Sequence, residues 1–169
     1  MQHPVTEELI AQSQRYLDEC LGRVGRCLDE ITEEEVWKRP NANSNSMGNL
    51  VIHLQGNITQ YIISSLGGAP DLRERDAEFA ATEGADKATL WAGIQQVVAE
   101  AKEVIGRMTP EQMMERRSVQ GFDYTGVANV VHVVEHFSYH VGQMVFWVKL
   151  LKDKDLAFYG GIDLNAKNE

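Results

Sequence analysis

Four long stretches of this chain place their apolar residues at the 3.6-residue spacing of an amphipathic α-helix. They cover residues 5–31, 46–66, 86–107 and 125–152. The 4 prolines of the chain all lie outside these stretches, where proline does not cost a helix a backbone hydrogen bond. Each helix of this kind can bury its apolar stripe only against another element, so the sequence predicts an all-α four-helix bundle.

The link between the second and third predicted helices, residues 67–85, is too long for a simple hairpin turn. We expect it to cross the bundle or to cover one of its ends. It carries opposite charges within the run RERDAEF, residues 73–79, which favours a salt-bridged crossover. A direct role for Arg73 or Arg75 in clamping an anionic substrate is the less favoured interpretation. Farther along, Thr109-Pro110-Glu111 is typical of the start of a short additional helix.

Length and charge narrow the possible functions of the chain. Its 169 residues are enough for one core, so we expect a single domain over residues 1–169. The net charge of −9 argues against a nucleic-acid partner, because phosphate backbones are bound through clustered Lys and Arg. The N-terminal segment lacks the basic start and apolar run of a signal peptide, and no stretch has the roughly 18 apolar residues of a membrane span. We therefore expect a cytoplasmic protein without a membrane partner.

The two cysteines continue the apolar stripe of the first predicted helix. Cys20 and Cys27 are separated by a rise of about 10 Å along a helix, which is too far for a disulfide. We therefore predict two free thiols that are buried as small apolar side chains.

Three of the five histidines repeat at every fourth residue of the last predicted helix. His132, His136 and His140 therefore lie on one face, with successive side chains about 5–6 Å apart. The outer two are about 12 Å apart along the axis, so one ion cannot bind all three on an intact helix. Either adjacent pair could bind a metal ion together with His53 from the second predicted helix. The spacing alone leaves both pairs open.

A site with three histidine ligands is typical of catalytic metal ions, because one coordination position stays open for water or substrate. Imidazole nitrogens suit several transition metals, and we expect a divalent ion, zinc or nickel first and iron as a further option. The competing explanation is a polar ladder in the bundle seam, in which Glu135, Tyr139 and Gln143 satisfy the imidazoles without a metal.

Two motifs in this chain resemble those of the DinB/YfiT-like superfamily of metal-dependent four-helix bundles. The run HVVEHFSYHVGQ, residues 132–143, is similar to the last-helix motif, and NLVIHLQGN, residues 49–57, is similar to the second-helix motif. The runs SNSMGNL and RERDAEF look like a branch of the superfamily with no assigned activity. The resemblance implies His53, His136 and His140 as the metal ligands. One departure is Val141, where many DinB-like proteins have an arginine.

The resemblance also implies a function. Some DinB-like proteins are thiol-dependent S-transferases or isomerases, so a small-molecule thiol is the expected substrate or co-substrate. Hydrolysis is equally compatible with the three-histidine ligand set. The alternative is a non-catalytic metal-binding or stress-associated bundle, in which a fourth protein ligand such as His132 or a carboxylate closes the site. DinB-like proteins are often dimers, so the resemblance implies a homodimer.

Further residues near the histidine motifs are candidates for supporting roles. His132 and Glu135 could act as the proton acceptor if they face the site. Ligating histidines usually donate their second N–H to an oxygen, and Asn57, Glu135 and Gln143 are the expected acceptors.

Overall fold

Each of the four periodic stretches forms a helix, and the predicted four-helix bundle is confirmed. The computed structural model describes residues 3–168, so that Met1, Gln2 and Glu169 of the predicted domain 1–169 lie outside the described residues. The helices are α1 (Pro4–Glu30), α2 (Glu33–Val36), α3 (Met47–Ile58), α4 (Arg75–Ala80), α5 (Lys87–Gly106), α6 (Pro110–Met114) and α7 (Gly126–Lys152). A hairpin of β1 (Arg116–Val119) and β2 (Phe122–Thr125) precedes α7.

The core of the bundle lies between the apolar stripes of the four long helices. Helix α1 packs against α5 and α7, and α3 packs against the same two helices. Cys20 and Cys27 are buried free thiols, as predicted. Burial raises the pKa of Cys20 to about 11 and that of Cys27 to about 12, so both remain protonated at neutral pH. No helix within residues 3–168 is both long and apolar enough to cross a membrane.

The second predicted helix changes its geometry in the middle. The α-helical part ends at Ile58, and residues Thr59–Ser64 continue as a π-helical turn with Tyr61 fully buried. A π-helical turn holds more residues than an α-helical one, so it rotates the side chains that follow relative to those before it. Such turns are rare in proteins as a whole, but a large share of those that do occur lie at functional sites.

The long link between α3 and α5 lies on α3, as a crossover that covers part of the bundle. It contains α4, whose backbone is held at several points by side chains from other elements. The amide of Asn49 in α3 donates to the carbonyl oxygens of Glu78 and Ala81, at 2.9 and 2.7 Å. Arg39 donates to the carbonyl oxygen of Phe79 at 2.6 Å. These bonds hold α4 against α3, the helix that carries His53.

The hairpin between α6 and α7 is an element that the sequence analysis did not predict. Its strands pair antiparallel, and Gln120 and Gly121 form the turn with φ of 50° and 82°. A two-residue turn with two positive φ angles suits the twist of a hairpin and usually contains glycine at its second position. The pair Gln-Gly was the available signal, but strands of four residues are too short to show a clear alternation. The short helix predicted from Thr109 onward is confirmed as α6.

Candidate metal centre

Three of the four histidines that the sequence singled out lie together in the bundle, two of them (His53 and His140) buried and His136 half-buried. His53 comes from α3, and His136 and His140 come from successive turns of α7. The Nε2 atoms of His53 and His136 are 2.9 Å apart, and one nitrogen from each of the three rings lies within 4.8 Å of the other two. Two nitrogens that share a tetrahedral zinc ion at about 2.0–2.1 Å are about 3.3 Å apart. This value lies between the 2.9 Å of the closest pair and the outer bound of 4.8 Å, so small ring movements would bring the three nitrogens onto one ion.

The ring orientation of His53 is set by a carboxylate in the crossover. Its Nδ1 lies 2.8 Å from Oε2 of Glu78. Burial would raise the pKa of Glu78, but hydrogen bonds from Arg73 and His53 outweigh it and hold that pKa below its usual value. An ionised carboxylate can only accept. Nη2 of Arg73 lies 3.2 Å from Nδ1 of His53 but donates to Oε2 of Glu78 at the shorter distance of 2.9 Å, so Nδ1 of His53 donates to the same carboxylate. In the neutral form of this ring the lone pair is on Nε2, which faces the other two histidines.

His140 has a similar arrangement within α7. Its Nδ1 lies 2.8 Å from Oε1 of Gln143, one of the three predicted acceptors. This contact leaves Nε2 as the nitrogen of His140 that is available to the cluster. Burial, followed by the neighbouring imidazoles, lowers the pKa of His136 to about 3, and burial also lowers the pKa of His140. Both rings are therefore neutral at neutral pH, which is the form that binds a metal ion.

His132 lies beside the cluster without joining it. Its ring stacks on Tyr61, with centroids 4.2 Å apart, and its Nε2 lies 3.3 Å from the amide nitrogen of Asn57. Asn57 was a predicted acceptor for a ligating histidine, but in the structure it contacts His132 instead. Burial lowers the pKa of His132, so it is a neutral imidazole next to the three others.

Glu135 is exposed and lines a separate groove with Glu19 and Arg23, not the cavity beside the histidines. The physical reason is the helix period, since a residue directly before His136 points about 100° away from it around the axis. Both candidate roles of Glu135, proton acceptor and hydrogen-bond acceptor, depend on its facing the site, and Glu135 is not among the residues that line the cavity.

The histidines open into a cavity of about 310 Å³. The lining residues are Asn45, His53, Asn57, Arg73, Arg75, Phe79, Gln120, His132, His136, Tyr139, His140 and Gln143. Gln120 comes from the unpredicted hairpin, and its Oε1 accepts a hydrogen bond of 2.8 Å from the hydroxyl of Tyr61. The sequence analysis therefore missed one wall of the cavity.

The basic residues of the crossover occupy two different environments. Arg73 is almost completely buried and binds both carboxylate oxygens of Glu78, at 2.7 and 2.9 Å, which confirms the salt-bridged crossover. Arg75 is exposed at the edge of the cavity, with its guanidinium 4.9 Å from the centroid of the Phe79 ring. Val141, where the resemblance led us to expect an arginine, is buried in the core.

Comparison with known proteins identifies the fold and the family. Residues 5–160 match the family described as protein of unknown function, DUF1572. No curated protein matches the chain.

Three solved structures are similar over most of their length. They are a conserved protein from Enterococcus faecalis (TM-score 0.70, 19% identity, 85% of this chain and 97% of that chain), the DinB-like protein YjoA from Bacillus subtilis (0.67, 19%, 88% and 96%), and a DinB-like protein from Bacillus cereus (0.66, 16%, 91% and 95%). At these identities the likeness shows a DinB-like fold and no shared activity.

Proposed function

This chain belongs to the DUF1572 family and has a DinB-like fold, and we propose that it is a metal-dependent enzyme with His53, His136 and His140 as ligands. One observation carries the proposal. In two of the rings Nδ1 is occupied by an oxygen acceptor, so the lone pairs of their Nε2 atoms point into a shared space. In the structure Nε2 of His136 lies 2.9 Å from Nε2 of His53, and a cation shared by the rings would replace this contact and bind the lone pairs of the neutral imidazoles.

The ligand set supports an open site. Within residues 3–168, the group that could hold one ion contains no carboxylate or thiol beside the three histidines. His132, the expected fourth ligand of a closed site, has its Nε2 next to Asn57. Three protein ligands leave a coordination position for water or substrate. Bound there, a divalent ion lowers the pKa of a water or thiol that coordinates it.

The reaction class that we propose is S-transfer with a small-molecule thiol, or hydrolysis. The cavity of about 310 Å³ beside the histidines is at the small end of ligand sites, which suits a small substrate. We assign the role of proton acceptor to His132, because it lines this cavity as a neutral ring and is oriented by its stacking on Tyr61.

The first experiment is elemental analysis of untagged protein that has been purified without added metal. Near-stoichiometric zinc, nickel or iron in the parent and its absence in His136→Ala is the expected result. His132→Ala is the matched control, since it removes an imidazole from the same face of α7 and should retain the metal. A parent that takes up neither zinc nor nickel on incubation would overturn the proposal and leave a polar ladder.

A second measurement separates an enzyme from a non-catalytic metal-binding or stress-associated protein. In cobalt-substituted protein, a small thiol should change the visible absorption spectrum, because it enters the open coordination position. A spectrum that no thiol or chelating anion changes would indicate a closed site, and the catalytic proposal would then be wrong.

We also propose that the protein is a cytoplasmic homodimer. Phe146 and Leu150 of α7 are 69% and 64% exposed, and a subunit interface would cover such apolar side chains. Buried free thiols at Cys20 and Cys27 are typical of a reducing compartment. Light scattering of the parent should give twice the mass of the chain, and Phe146→Glu should shift the protein to monomer.

A further inference from the structure

A buried ion pair contacts Nδ1 of His53, the ring nitrogen that does not face the other histidines. Glu78 and Arg73 both belong to the crossover between α3 and α5, and both side chains are at most 10% exposed. Nε of Arg73 donates to Oε1 of Glu78, while Oε2 accepts from Nδ1 of His53 at 2.8 Å. The carboxylate thus links a guanidinium on one side to a candidate metal ligand on the other.

Burying such a pair is costly unless its hydrogen bonds are satisfied. Here both carboxylate oxygens have donors, and Nη1 of Arg73 donates to Oε1 of Gln60 at 2.9 Å. The amide of Gln60 in turn donates to Asp71 at 2.8 Å. The pair is therefore held in one geometry, and the position of the carboxylate behind His53 is well defined.

The turn of α3 next to the ion pair carries no side chain at the point where the pair approaches it. A Cβ atom added to Gly56 would overlap Oε1 of Glu78 and lie 2.9 Å from Nε of Arg73. Glycine in the middle of a helix is unfavourable by about 1 kcal/mol relative to alanine. Gly56 is what allows the ion pair to approach the backbone of α3 closely enough to reach His53.

The crossover is also held by hydrogen bonds that do not involve the ion pair. The backbone of α4 is already bonded by the side chains of Asn49 and Arg39, through carbonyl oxygens and without the Glu78 carboxylate.

We propose that Glu78, held by Arg73, is a positioning residue that keeps the proton of His53 on Nδ1 and so presents its Nε2 to the metal ion. The metal-binding consequence rests on the proposed function, whereas the effect on the proton position does not. Carboxylates that accept from a ligating histidine fix its tautomer and orientation and raise its basicity as a ligand.

Zinc affinity, measured by competition with a chromophoric chelator, tests the consequence for binding. Glu78→Ala should weaken zinc binding by about 10–100-fold, the usual effect of removing such a partner. Glu78→Gln keeps the length of the side chain and an oxygen acceptor, and it should lose less affinity. Glu74→Gln is the matched control, because it removes one acidic charge from an exposed position in the same crossover. It should bind zinc like the parent.

Nitrogen NMR of the imidazole rings in metal-free protein tests the proton position directly. In the parent, His53 should give a single tautomer with the proton on Nδ1, and Glu78→Ala should populate the tautomer with the proton on Nε2. Glu78→Gln and Glu74→Gln should keep the parent tautomer. Circular dichroism checks that each variant is folded. If Glu78→Ala does not fold, the zinc affinity and the tautomer are measured in Glu78→Gln instead.

The two measurements separate the two hypotheses. One result would refute the proposed function and support the positioning role: the parent binds no zinc, but its Nδ1 tautomer of His53 is lost in the Glu78→Ala variant. A parent that binds zinc, with a folded Glu78→Ala variant of unchanged affinity and unchanged tautomer, would support the function and overturn the positioning role.

Discussion

Replacing Gly56 by alanine has two opposing effects on the stability of the protein, and the size of each can be estimated. Gly56 lies inside α3, where alanine is preferred over glycine by about 0.8–1 kcal/mol. The added methyl group, however, would overlap Oε1 of Glu78. Helix propensity therefore predicts a more stable protein, and the tertiary contact predicts a less stable one.

The tertiary effect should be the larger of the two. The carboxylate of Glu78 cannot move away from α3 without leaving Arg73 or His53, both of which it contacts within 3 Å. Breaking a buried ion pair costs about 3–5 kcal/mol, so the net loss in the free energy of unfolding is about 2–4 kcal/mol. At this chain length each kcal/mol lowers Tm by about 2–4 °C. Gly56→Ala should therefore lower Tm by at least about 4 °C.

Thermal unfolding of chelator-treated protein measures the effect without a contribution from bound metal. Gly22→Ala is the matched control, since Gly22 also lies inside a helix but a Cβ there would contact nothing. The control should raise Tm by about 2–4 °C through helix propensity alone. If Gly56→Ala is as stable as Gly22→Ala, the ion pair does not occupy the space that the structure assigns to it, and the reasoning is refuted.

Three further predictions concern the core, the cavity wall and the hairpin. Cys20 and Cys27 should resist a thiol reagent at pH 8 until the chain is unfolded, because burial raises the pKa of each thiol to about 11 and about 12. A raised pKa in the folded state stabilises the protein below the unfolded pKa of about 8.5, so the free energy of unfolding should fall as the pH rises from about 9 toward 12. Tyr61→Phe removes the hydroxyl that donates to Gln120 and keeps the ring, so urea unfolding should show a loss of about 1 kcal/mol. Gly121→Ala places a side chain at a φ of 82° and should cost about 1–2 kcal/mol, measured in the same way.

The helices could be predicted because their signal is local. A repeat of apolar residues over more than twenty positions indicates one face of one helix, whatever the rest of the chain does. The predicted bounds of 125–152 and the observed Gly126–Lys152 differ by one residue. The hairpin and the π-helical turn at Thr59–Ser64 were missed because each involves too few residues to produce a period.

The candidate site could be predicted in part. Spacing placed the histidines of α7 on one face but left two pairs open, and the resemblance selected His136 and His140. The structure does bring this pair to His53. Glu135 was assigned to the same site from its closeness along the chain, and the helix period turns it away.

The amino-acid sequence by itself determined the helices, the free thiols and the histidine face of α7, because these follow from residues a few positions apart. Only the tertiary structure decided which histidines meet and which carboxylate lies behind them. Glu78 is 25 residues from His53 along the chain, and no periodic pattern connects them. They meet because Asn49 and Arg39 hold the crossover on α3 and because Gly56 leaves room for the ion pair. Such a contact depends on how separate elements pack, which no short stretch of sequence specifies.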